Sequence, residues 1–126
     1  MANEPDAPAI TAGQALPAPP NGTRPRFVAV GAGRMGRGIA IAFAYAGHRI
    51  ALVDLRQRSG ADWARLRAEA TAEIDGALRG LAGQGVLRQD QVAPIAARVQ
   101  LVRVDEAPAA LAAAELVFEG VPETMA

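Results

Sequence analysis

The chain has 126 residues, 51% hydrophobic and 21% charged, a balance that suits one globular domain. Thirteen basic residues, all arginine, offset thirteen acids, so there is no bulk electrostatic footprint for nucleic acid or an anionic membrane. The absence of cysteine excludes a disulfide framework, a thiolate metal site and a thiol nucleophile, and no metal site is expected.

Residues 1–24 hold five of the nine prolines (Pro5, Pro8, Pro17, Pro19 and Pro20) and show no apolar periodicity. Such a stretch cannot bury enough surface to offset the entropy of ordering, so it is expected to be a disordered tail. It lacks the basic start and continuous apolar core of a signal peptide, and Glu4 and Asp6 argue against a transit peptide. No apolar run approaches the length of a membrane span. The expected location is cytoplasmic, with residues 25–126 forming the folded unit.

That unit begins with the apolar run Phe27-Val28-Ala29-Val30, which reads as a strand. It leads straight into Gly31-Ala32-Gly33-Arg34-Met35-Gly36, a glycine turn that opens a helix expected over Arg34–Ala46. Met35, Ile39, Ala42, Phe43 and Ala46 are the residues expected to face the sheet. Gly47 should cap the helix, and His48 follows in the turn. A second apolar run, Ile50-Ala51-Leu52-Val53, ends at Asp54. Strand, glycine turn, helix, strand and acid in this order are the layout of a dinucleotide-binding unit.

Each part has its own task. Gly31 lets the chain turn sharply, Gly33 admits a pyrophosphate to the backbone, and Gly36 lets the helix pack closely on the strand. The first-turn N–H groups and the positive end of the helix dipole face the phosphates. Asp54 accepts hydrogen bonds from the adenosine ribose hydroxyls and repels a 2′-phosphate, which favours NAD over NADP. Arg56 and Arg58 follow closely; an arginine there can take a 2′-phosphate, but a solvated loop is the preferred reading. Arg34 and Arg37 either add positive charge to the turn or are simply exposed helix positions. His48, the only histidine, lies at the end of the sheet away from ligands and reads as a turn residue, not a base.

A long helix is expected next, from about Asp62 to Leu81, with Trp63, Leu66, Ala70, Ile74, Leu78 and Leu81 as its core stripe and Gly80, Gly83 and Gly85 as its breakers. A short helix over Gln91–Ala97 follows, capped by Asp90, with Pro94 tolerated in its first turn. Val99–Val104 alternates as strand three. Asp105 should cap a helix over Glu106–Ala113, with Pro108 in its first turn. Leu116-Val117-Phe118 is strand four, followed by Glu119-Gly120-Val121-Pro122-Glu123.

These elements give the fold class α/β, the first half of a Rossmann-type doubly wound parallel sheet. Right-handed crossovers set the strand order 3-2-1-4. Strand four then lies beside strand one, where the order reverses and a crevice opens. The turn carrying Glu119 and Glu123 borders that crevice, so Glu123 is a candidate for the cofactor's ribose and nicotinamide end; otherwise both are solvated acids. With Gly31, Ala32, Gly33, Arg34, Met35, Gly36 and Asp54, it completes the expected cofactor-binding set.

The run FVAVGAGRMGRGIAIAFAYAGHRIALVDL, with AELVFEGVPE, resembles the NAD-binding domain of the 3-hydroxyacyl-CoA dehydrogenases. The family's GAGxMGxGIA motif matches from Gly31 to Ala40. Its AGH before strand two and its acid after it are also present. Its D-L-V-[IF]-E-x-V-x-E segment matches Glu115 to Glu123, with Glu for the first Asp, and strand one lacks the family's apolar residue between Val30 and Gly31. Related L-gulonate and carnitine dehydrogenases share these motifs.

The resemblance implies NAD-dependent oxidation of a 3-hydroxyl group to a ketone, on a small molecule of the 3-hydroxyacyl-CoA class. It places Asp54 on the adenosine ribose and Glu123 against the cofactor. It also implies a helical domain for substrate binding and for homodimer formation by the full-length protein. The family's catalytic histidine–glutamate pair falls after strand four, so no catalytic residue is expected in this chain, and the 126 residues alone should lack dehydrogenase activity. Strand four would be an exposed apolar edge. The sequence is therefore expected to be a fragment of a longer dehydrogenase. The rival readings are a non-catalytic NAD(H)-binding module, a flavoprotein and a methyltransferase.

Overall fold

Four parallel strands carry the structure, a computed structural model that describes residues 24–119. The order along the chain is β1 (Phe27–Val30), α1 (Arg34–Tyr45), β2 (Ile50–Val53), α2 (Gly60–Gly83), α3 (Val92–Ala96), β3 (Val99–Val102), α4 (Ala107–Ala113) and β4 (Leu116–Glu119). In space the strands run β3-β2-β1-β4, the order expected from right-handed crossovers. The expected tail lies outside the described residues except for Arg24.

Strand alternation divides the core into two layers. Val28, Val30, Ala51, Val53 and Val102 pack with Ala107 and Ala110 of α4 on one face. Ala29, Ile50 and Leu52 pack on the other with Ala40 of α1 and Leu66 of α2, and Phe27, Ile39, Phe43 and Trp63 close around them. Beyond the sheet, Ile74 and Leu78 of α2 meet Ala44, Val92 and Ile95. The β2 side chains are fully buried, which is why that strand reads as an unbroken apolar run.

Several local expectations are corrected. The buried residues of α1 are Gly36, Ala40 and Ala44: Ala40 packs on the sheet with Ile39 and Phe43 at its margin, and Ala44 meets Ile74, Leu78 and Ile95 beyond it. Met35 is 64% exposed, and Ala42 and Ala46 are exposed as well. Small residues face the sheet because the helix lies close to it. Helix α2 begins at Gly60, earlier than expected, because the Ser59 hydroxyl accepts from the Asp62 N–H at 3.1 Å. It runs through Gly80 and ends only where Gly85 takes a positive φ of 80°.

Both long helices finish in Schellman motifs. The His48 N–H donates to the Phe43 carbonyl and the Gly47 N–H to that of Ala44; Val86 and Gly85 do the same with Leu81 and Ala82. His48 is an exposed turn residue whose ring lies 5.0 Å from that of Phe27. Asp90 caps nothing: a 3₁₀ turn over Gln89–Gln91 precedes α3, the Gln91 side chain accepts from the Arg88 N–H at 2.7 Å, and Asp90 pairs with Arg88 at 3.0 Å. Strand β3 stops at Val102, and Asp105 lies within a 3₁₀ turn over Val104–Glu106, ahead of α4.

Arg98 is buried at the carboxyl end of α1, where its Nη1 donates to the Ala44 carbonyl at 2.7 Å. A cation there complements the negative end of the helix dipole. Its Nε and Nη2 have no partner among the described residues, and burial pulls its pKa down. Among the described residues β4 pairs with β1 alone, and Leu116 and Val117 are 47% and 43% exposed.

Candidate functional site

The strand register builds the site. Phe27–Val30 pairs residue by residue with Ile50–Val53, so Val30 and Val53 end level with each other. Gly31 and Asp54 therefore leave the sheet side by side at its carboxyl edge. The Gly31 N–H donates to the Val53 carbonyl at 2.8 Å, and the Asp54 N–H to that of Val102 at 2.9 Å. On the other side of β1, Val30 pairs with Glu119. Glu119 thus closes β4 as an exposed strand residue, and not as part of the following turn. Glu123 lies outside the described residues.

The three glycines of the turn differ in geometry. Gly31 has a φ of 99°, a conformation that a β-carbon strains. Gly36 sits where an added Cβ would fall 1.8 Å from the Gly31 carbonyl oxygen. Gly33, the N-cap of α1, has ordinary extended geometry, and nothing lies within 4 Å of where its Cβ would be. No side chain among the described residues caps this helix, and no acid occupies its first turn. The first N–H groups of α1 thus have no side-chain cap among the described residues, at the positive end of a helix of 12 residues. Helix N-termini of this kind are general anion-binding positions. Arg34 and Met35 are exposed beside this one.

Arg37 has a different place from either expectation. Its Nε donates to the Ala32 carbonyl at 2.8 Å, and its Nη1 pairs with Glu73 of α2 at 2.5 Å. It braces the turn from behind and lends no free charge to it. The partner lies 36 residues away, so local sequence carries no signal for this contact.

Asp54 is 4% exposed. Its Oδ2 accepts from Arg58 Nε at 2.5 Å, and its Oδ1 is 3.4 Å from both Arg58 Nη2 and the Arg56 N–H. Arg58 is consequently not the solvated loop residue its neighbourhood suggested. The hydrogen bond and charge of Asp54 raise the Arg58 pKa above its ordinary value, against a smaller opposing effect of desolvation. Arg56 extends into solvent.

An uncapped helix N-terminus beside a strand-end carboxylate, at the point where the strand order reverses, defines a dinucleotide-binding α/β domain of the doubly wound class. Residues 27–126 match the family model "3-hydroxyacyl-CoA dehydrogenase, NAD binding domain". The chain belongs to that family, and NAD is the family's cofactor.

Among solved structures, it is similar to 3-hydroxybutyryl-CoA dehydrogenase from Escherichia coli K12, with 31% identity and a TM-score of 0.62 over 80% of this chain and 20% of that one. It is similar also to (S)-3-hydroxybutyryl-CoA dehydrogenase PaaH1 from Ralstonia eutropha, with 30% identity and a TM-score of 0.58 over 79% of this chain and 32% of that one. FadB2 from M. tuberculosis, at 24% identity, shares the fold, with a TM-score of 0.64 over 81% of this chain and 32% of that one. The chain thus spans between a fifth and a third of the length of these proteins. Among curated proteins, none matches it.

Proposed function

We propose that the chain forms the NAD-holding part of an oxidoreductase that oxidises a 3-hydroxyacyl-CoA, or a similar 3-hydroxy acid, to the 3-keto compound. The observation that carries this reading is the side-by-side exit of the open glycine turn and Asp54 from paired strands. The backbone from Gly31 to Gly36 would hold the pyrophosphate, with Ala32, Arg34 and Met35 around it, and Asp54 would accept the ribose hydroxyls. Glu123 is proposed for the nicotinamide side on the family resemblance. NAD, when bound, supplies the hydride acceptor.

The two 3-hydroxybutyryl-CoA dehydrogenases among the similar structures support a substrate of the acyl-CoA class and a role in fatty acid metabolism. A homodimer of the full-length protein and a cytoplasmic location belong to the same proposal. No helix among the described residues is long and apolar enough to cross a membrane.

The test is a fluorescence titration with NADH and NADPH. Asp54→Ala removes charge-assisted hydrogen bonds and should weaken NADH by about tenfold or more, and NADPH by less. Unchanged affinity for both cofactors would remove Asp54 from the site. The substrate assignment is tested by assaying the product of the whole coding frame that carries these residues, with acetoacetyl-CoA and NADH. Failure to oxidise NADH there would leave a nucleotide-binding module.

A further inference from the structure

Arg58 occupies the place where the cofactor's adenosine end is proposed to lie. Its guanidinium lies across both Asp54 oxygens, with Nε at 2.5 Å from Oδ2 and Nη2 at 3.4 Å from Oδ1. The carboxylate that would repel a 2′-phosphate is thus paired with a cation of equal and opposite charge.

We propose that Arg58 sets the cofactor preference of this site: it cancels the repulsion from Asp54 and lets the chain accept a 2′-phosphorylated nicotinamide dinucleotide alongside NAD. The inference rests on the reading that Asp54 faces the adenosine ribose.

Three features carry it. The first is access. The Arg58 side chain is 23% exposed and that of Asp54 only 6%, so a ligand arriving from solvent meets the cation before the acid. The second is chemistry. The planar guanidinium fork matches phosphate oxygens as well as it matches a carboxylate, and it stays charged throughout the working pH range. Its other acidic neighbours, Asp62 and Glu69, act on it through charge alone. The third is freedom to move. Arg58 belongs to the irregular segment between β2 and α2, so it can leave Asp54 for a phosphate without disturbing a strand or helix. With NAD, the ribose hydroxyls must compete with Arg58 for the same two oxygens.

The experiment is direct titration of NADH and NADPH into the full chain, carrying in turn Arg58→Gln, Arg58→Lys and Asp54→Ala, with far-UV circular dichroism to confirm folding. Wild-type affinities for the two cofactors should lie within about tenfold of each other. Arg58→Gln should weaken NADPH by about tenfold or more and leave NADH unchanged or tighter, because the ribose no longer displaces a cation. Arg58→Lys, which keeps the charge but not the fork, should fall between. Equal change of both cofactors in Arg58→Gln, or change of neither, overturns the role of Arg58. Asp54→Ala then separates two failures. A loss of NADH affinity in that variant preserves the ribose reading, whereas unchanged affinity discards both.

Discussion

Replacing Gly36 with alanine is expected to destabilise the domain severely. The new Cβ would sit 1.8 Å from the Gly31 carbonyl oxygen and 3.2 Å from the Leu52 side chain. The first obstacle is backbone and cannot rotate away. Relief would require α1 to lift from β1, opening the layer in which Ala40, Ala29 and Leu52 are fully buried. The cost should reach at least about 3 kcal/mol, the upper end of overpacking penalties. Thermal melting followed by circular dichroism measures it, and Gly38→Ala is the control. Gly38 lies in the same helix with nothing within 4 Å of its added Cβ, so alanine there should hold or raise stability by about 0.5–1 kcal/mol. Equal melting temperatures for the two variants would contradict the close approach at Gly36.

Gly33→Val should act in the opposite way, on the ligand and not on the fold. Gly33 has φ −82° and ψ −167°, extended geometry that valine adopts readily, and open space surrounds its Cβ position. Loss of a favourable N-cap residue should cost about 1 kcal/mol. The isopropyl group would fill the space in front of the first N–H groups of α1, where the pyrophosphate is proposed to rest. NADH affinity should fall at least about 100-fold, or about 2.7 kcal/mol. Normal NADH binding by a folded Gly33→Val chain would mean that the turn is not the phosphate site.

The scaffold was largely legible because its signals are local. Phe27–Val30 and Ile50–Val53 are strands with the expected bounds, and the strand order is the one expected from right-handed crossovers in a doubly wound sheet. The core stripe of α2 also follows its periodicity, with Leu66, Ala70, Ile74 and Leu78 buried. The buried face of α1 was not legible, because Gly36, Ala40 and Ala44 carry little hydrophobic signal beside Met35, which is large but exposed. In the candidate site, position along the chain pointed to Gly31, Gly33, Gly36 and Asp54. It could not reveal that Arg58 lies on Asp54 or that Arg37 reaches Glu73. Those pairings depend on loop conformation and on helix–helix placement, which no short motif encodes.

The Arg37 contacts bear on how fast and how tightly the turn can capture a ligand. A glycine-rich loop free in solution samples many conformations, and binding must quench them. Here the Ala32 carbonyl is held by a guanidinium whose other end is fastened to the middle of α2. Much of the ordering is therefore complete before a ligand arrives, so less of its interaction energy is spent on rigidifying the loop. The same tie makes α2 a lever. A displacement of that helix at Glu73 would be felt at Ala32 through one side chain, linking the state of a distant surface to the shape of the turn proposed to hold the phosphates.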